Sequence, residues 1–238
     1  MIGLGTAINI GLIIAGSLCG LVFGRFMKEN LKQTLMMVSG IIVLLLGMSG
    51  AMQYMLVIVN GTLQTTGPML MIISMVAGAV IGELIDLNRW ITVFGDWVKA
   101  KTGNTGDPQF THAFITASLT FTVGAMGVLG SIQDGLTGNY QTLLLKGILD
   151  GIIVMVMVSS MGKGALFSFI PVGITQWIIT AMAHIAAPLM TPSAIDNLSY
   201  VGSILIFCVG IDLIWPGKIR IANLLPAIFV AMGLTFLL

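Results

Sequence analysis

Apolar stretches of about 20 residues, the length a helix needs to cross the hydrocarbon core of a bilayer, recur along this chain between short clusters of proline, glycine, asparagine and charge. Breaking the sequence at those clusters predicts eight spans, near residues 2–24, 35–58, 67–87, 110–130, 141–161, 165–188, 198–215 and 219–238. Backbone in lipid must close its hydrogen bonds internally, so such runs fit helices and not the roughly ten-residue alternating strands of a barrel. The predicted fold class is an all-α polytopic membrane protein. The first run has no basic residue ahead of it and no clear small-residue cleavage site, so it reads as a retained span. Glycines and the Gln133–Asp134 pair leave the fourth span and its neighbour open to a re-entrant course.

A different period holds between Asn88 and Lys101. Trp90, Val93, Phe94, Trp97 and Val98 fall on one helical face, with Arg89, Thr92, Asp96 and Lys99 on the other. Tryptophans beside lysines suit the membrane interface, so this segment is expected to lie on the cytoplasmic surface, as an anchor or as a coupling lever. It separates a first half, residues 1–87, from a second, residues 110–238, with a polar linker at 102–109. The whole chain, 1–238, is expected to form a single integral membrane domain.

Composition closes off other classes. With 57% hydrophobic and 8% charged residues, the chain cannot cover a water-facing surface as a soluble domain does, where about a quarter of residues are charged. A net charge of +1 and the lack of a basic tract exclude nucleic acid as a partner; the partner is the lipid bilayer. Cys19 and Cys208 lie in apolar runs and read as small packing residues, not as a disulfide or a metal site.

Charge placement tests the span count independently, because Lys and Arg near span ends favour the cytoplasm. Arg25, Lys28 and Lys32 follow the first span; Arg89, Lys99 and Lys101 the third; Lys163 the fifth; Lys218 and Arg220 the seventh. The loops near 60–66, 131–140 and 191–197 carry neither residue. This alternation predicts both termini outside the cytoplasm, with Lys146 as the exception.

A weak internal repeat accompanies it. Leu35, Val38, Ile41 and Gly47 align with Leu198, Val201, Ile204 and Gly210, and each segment precedes a span with an early proline, Pro68 or Pro226. The two segments are an odd number of crossings apart, which predicts antiparallel courses, as in an inverted repeat.

Polar residues inside apolar spans carry the chemistry, since an ionisable group at the bilayer centre costs at least about 2.5–3.5 kcal/mol on insertion scales. Lys146 and Asp150, at i and i+4, share a helix face and form either a structural ion pair or a proton or ion site. Asp212, near Lys218 and Arg220, reads as half of an interfacial pair, and Glu83 and Asp86 as groups that reach water. His184 reads as a packing residue before a proton relay.

Gly124, Gly127, Gly130, Gly135 and Gly138 recur between Phe121 and Tyr140. They either let helices pack closely or let this helix unwind near Gly130. Ser131, Gln133 and Asp134 beside them favour unwinding next to a polar cavity. Asn9 in the first span and Asn223 before Pro226 add polar groups, and Pro226 predicts a bent or broken last helix.

Gly5-Thr6-Ala7-Ile8-Asn9, the stretch from Gly124-Ala125-Met126 to Gly130-Ser131-Ile132-Gln133-Asp134-Gly135, Lys146 with Asp150-Gly151, and Asn223-Leu224-Leu225-Pro226-Ala227 together resemble the YdfK/YqgA family of bacterial inner-membrane proteins. The resemblance spans nearly the whole chain and implies a bacterial plasma membrane and a compact multi-pass fold, with neither a substrate nor site residues. The expected function is a small secondary transporter or channel for an ion or small polar solute, its pathway formed by Asn9, Gly130, Ser131, Gln133, Asp134, Lys146, Asp150 and Asn223. A homodimer fits so small a bundle. The alternatives are an intramembrane enzyme using an Asp150–Asp212 pair, or a structural scaffold. Protease, hydrolase-elbow, zinc-helix and phosphate-loop motifs are absent from the sequence, so no cofactor and no enzyme activity are expected.

Overall fold

The computed structural model describes residues 2–236 and is mainly helical. α1 (Leu4–Arg25) and α2 (Glu29–Met55) are followed by a hairpin, β1 (Leu56–Val59) and β2 (Thr62–Thr65). Then come α3 (Pro68–Ile85), the amphipathic α4 (Leu87–Lys101), α5 (Phe110–Thr122), α6 (Ala125–Thr137) and α7 (Gln141–Met161). A 3-10 turn (Lys163–Ser168) leads into α8 (Phe169–Ala181) and the short α9 (Ala183–Ala186). After a second 3-10 turn (Ala187–Leu189) come α10 (Pro192–Ile214), a third (Ile221–Leu224) and α11 (Pro226–Leu234).

Among the described residues, six helices are long and apolar enough to cross a membrane, or seven if α5 and α6, bent by 60° at their junction, count as one span. The last expected span, 219–238, is shorter than foreseen and runs past the described residues: a 3-10 turn gives way to α11 at Pro226, whose missing N–H costs nothing at a first helical position. The second span also ends early. Leu56–Val59 pairs antiparallel with Thr62–Thr65 across Asn60–Gly61, both at positive φ (51° and 75°), the geometry of a two-residue hairpin turn.

Bare backbone sets the helix contacts. Gly16, Gly20 and Gly24 of α1 lie against Gly151, Met155 and Ser159 of α7, so these helices run parallel. Gly40 and Gly47 of α2 meet Gly210 and Phe207 of α10, an antiparallel crossing, and Gly78 and Gly82 of α3 meet Ala227 and Asn223 in the same sense. Lipid gives no hydrophobic drive for helices to associate, so dispersion across such close approaches holds the bundle. The sequence-predicted repeat segments thus pack on one another in opposite directions. A core of Ile13, Val43, Phe121, Val154, Met157 and Val209 joins α1, α2, α5, α7 and α10, while Leu18, Ile42, Leu45, Ile72, Val76 and Val80 are exposed on the outer faces of α1–α3, as lipid contact requires.

Candidate functional site

α5 ends at Thr122 because Val123 turns extended (ψ 119°) and Gly124 takes φ 148°, ψ 146°, a conformation that side chains disfavour. α6 restarts at once, with no capping side chain on its first turn. The break therefore leaves carbonyls at the end of α5 and amides at the start of α6 in need of partners.

Lys146 of α7 answers the first need. Its Nζ donates to the Phe121 carbonyl oxygen at 2.8 Å and also to Asp150 Oδ2 one turn along the same helix. Lys146 is 7% exposed and Asp150 6%, near the middle of α7. Removing two charges from water costs more than their attraction usually returns, so a buried pair of this kind is weak as a stabilising device. It opens onto a cavity of about 330 Å³ lined by Gly124, Thr120, Lys146, Asp150, Ser199 and Ser203 among apolar side chains of α2, α7 and α10.

Two carboxamides complete the surroundings. Asn9 of α1 is fully buried against Gly147 and lies beside the Asp150 carboxyl, outside hydrogen-bond geometry. Gln176 of α8 is 3% exposed, with its Nε2 3.8 Å from where a Cβ on Gly127 would stand; Lys146 Cε is 3.3 Å from the same point. Neither amide has a partner for its nitrogen or its oxygen. Four orphaned polar atoms around one ion pair are unusual in a protein interior, where buried polar groups are almost always paired.

The other sequence-predicted residues fall elsewhere. α6 is continuous through Gly130, so the unwinding expected there is instead at Val123–Gly124; Gly130 packs on Leu143 and Thr142 of α7. Ser131 Oγ donates to Gly127 O at 2.7 Å within its helix, and Gln133 Oε1 accepts from Thr142 Oγ1 at 2.7 Å. Asp134 Oδ2 accepts from Gly5 N–H at 3.1 Å, capping α1 from outside, and its Oδ1 has no partner. Asn223 Oδ1 accepts from Asn88 N–H at 2.6 Å and caps α4 in the same manner. Both place an acceptor at the positive end of a helix. Of the eight predicted residues, Asn9, Lys146 and Asp150 come together.

His112 went unread in the sequence. Its Nε2 lies 3.3 Å from Asp212 Oδ2, while Asp212 Oδ1 accepts from Gly217 N–H at 2.8 Å. Asp212 therefore engages His112 and a backbone amide, where pairing with Lys218 or Arg220 was expected; Arg220 pairs with Glu83 at 3.1 Å. These groups line a second cavity of about 370 Å³ with Asn88, Thr92 and Thr116. Asp150 and Asp212 line different cavities with different partners, so they form no carboxylate dyad. His184 is exposed on α9. Among the described residues, no three His, Cys, Asp or Glu side chains gather as a metal site.

The sequence pattern of the family described as "Protein of unknown function (DUF554)" matches residues 4–236. The chain is 27% identical over 235 residues to "Uncharacterized membrane protein YdfK" of Bacillus subtilis (strain 168), covering 98% of this chain and 96% of that relative. It is 24% identical over 240 residues to "Uncharacterized protein YqgA" of Escherichia coli (strain K12), again with 98% and 96% covered. No solved structure matches it.

Proposed function

As this chain belongs to the DUF554 family and is an integral membrane protein, we propose that it is a small secondary transporter or channel carrying an ion or small polar solute across the bacterial inner membrane. The observation that carries this is the helix broken at Val123–Gly124 beside the buried Lys146–Asp150 pair and its cavity. Irregular backbone within a membrane is tolerable where it lines a cavity or is buried in protein, and transporters place their sites at such breaks.

A path is suggested by the two cavities, which follow one another along α5. Thr116 and Leu119 line the one that holds His112 and Asp212; Thr120 and Phe121 line the one that holds Lys146 and Asp150. Leu119, which lines the first cavity next to Thr120 of the second and belongs to the main apolar core, would act as the gate between a cytoplasmic vestibule and a central site. The parallel and antiparallel contacts of the bundle fit a chain that reverses at each crossing, with both termini outside the cytoplasm.

Purified protein in proteoliposomes, loaded in turn with labelled ions, amino acids and organic acids, tests this directly. Flux of at least one solute that Asp150→Asn abolishes, with expression unchanged, is expected. Undiminished flux in that variant would remove the pair from the mechanism.

A further inference from the structure

The site's donors favour one class of solute. The first turn of α6 has no capping side chain, and helix N-termini attract negative charge. Against its third residue, Gly127, stand the unpartnered Nε2 of Gln176 and the Lys146 side chain. The unpartnered Nδ2 of Asn9 lies one helix away, opposite Gly147. The Lys146 ammonium and the start of α6 thus border a cavity in which Asp150 is the single anion, with the two carboxamides beside the ion pair. Besides Gln53, Tyr54, Thr120, Ser199 and Ser203, the cavity wall carries Val43, Leu46, Ile153 and Ile206, which suit a short hydrocarbon tail.

We propose that this site binds a small monocarboxylate together with one proton. The carboxylate replaces that of Asp150 on the Lys146 ammonium and at the α6 N-terminus, and the released Asp150 Oδ2 forms an O–H bond with a proton from solvent. No other bond is made or broken, and the net charge of the site is unchanged. Among the described residues, Tyr54 of α2 and Lys146 are the other titratable groups lining this cavity; Gln53, Thr120, Ser199 and Ser203 line it uncharged, and the uncharged Asn9 of α1 and Gln176 of α8 stand by the ion pair. Asn9, beside Asp150, offers a group for either state after a small shift: Nδ2 as a donor to an ionised carboxylate, Oδ1 as an acceptor from a protonated one. Electroneutral entry avoids leaving a lone charge in a low-dielectric site.

That this event is a transport step rests on the function proposed above; binding itself does not. Full-length protein in detergent is titrated with sodium lactate, and with neutral lactamide as control, in weakly buffered solution. Lactate is expected to raise the melting temperature and take up about one proton per anion bound, while lactamide does neither. Lys146→Gln should abolish both effects, and Gln176→Leu should weaken binding roughly tenfold. Asp150→Asn should still bind lactate, without proton uptake. Equal stabilisation by lactamide, lactate binding with no proton uptake in the wild type, or no lactate binding would overturn the inference. Flux of some other solute alongside absent lactate binding would overturn this site's chemistry and keep the transport reading. Lactate binding with proton uptake but no flux of any solute would support the site and remove transport.

Discussion

Lys146 Nζ donates to the Phe121 carbonyl oxygen, 2.8 Å away, and so ties the broken end of α5 to the middle of α7. One side chain both satisfies a carbonyl that the break exposes and neutralises Asp150. Two structural debts meet at a single atom.

Removing that atom should therefore be costly. Lys146→Met leaves a buried carboxylate and a buried carbonyl without partners, a loss of about 3–5 kcal/mol for a broken buried pair. Thermal unfolding in detergent should show a clear drop in melting temperature. The double variant Lys146→Met, Asp150→Leu should recover part of it, because no unpaired charge remains.

Gly124 holds φ 148°, which an alanine adopts only under strain. Gly124→Ala is expected to cost roughly 1–3 kcal/mol. Gly11, helical and with nothing within 4 Å of a Cβ, is the control: Gly11→Ala should leave the melting temperature unchanged or raise it slightly.

At Gly82, an added Cβ would collide with the backbone carbonyl of Asn223, which cannot yield as a flexible side chain would. The same residue caps α4 through its Oδ1, beside the Asp86 carboxylate that accepts from Arg89 N–H. Gly82→Ala should lower the melting temperature and loosen α4, seen as faster proteolysis near Lys99 and Lys101, whereas Gly233→Ala, in open space, should do neither.

Asp134→Ala removes the acceptor for Gly5 N–H and should cost about 0.5–2 kcal/mol, the range for losing a helix cap. Asp134→Asn keeps a carbonyl oxygen at that place and should melt close to the wild type. A fall in the asparagine variant equal to that in alanine would show that the charge, and not the hydrogen bond, holds α1.

Glu83 and Arg220 form an exposed pair at 3.1 Å. Glu83→Gln should shift stability by less than about 1 kcal/mol, as exposed pairs do, measured by the same melting assay.

Much of the candidate site was legible before any fold was known. Lys146 and Asp150 were visible because two ionisable groups four apart in an apolar run have nowhere else to turn but each other. Asn9 was noticed for a related reason. Gln176, one of the polar residues inside the spans that support a cavity, was not placed on the pathway because a single amide in a helix has no distinctive spacing; what marks it is the absence of a partner, which only neighbours reveal. Asp134 and Asn223 looked like cavity residues and proved to cap helices remote in sequence, at separations of 129 and 135 residues. The hairpin was missed although Asn60–Gly61 announced it, because Leu56–Val59 reads equally well as the end of an apolar helix.

Length and polarity alone determined that this chain lives in a bilayer as a helical bundle with an amphipathic helix at its middle, since hydrocarbon thickness and unpaired backbone leave little choice. Tertiary structure decided where the fourth span breaks. The glycines from Gly124 to Gly138 share the same backbone freedom, but a break survives in a dry interior only where another helix brings a partner for the opened carbonyls, and the Lys146 ammonium reaches Phe121.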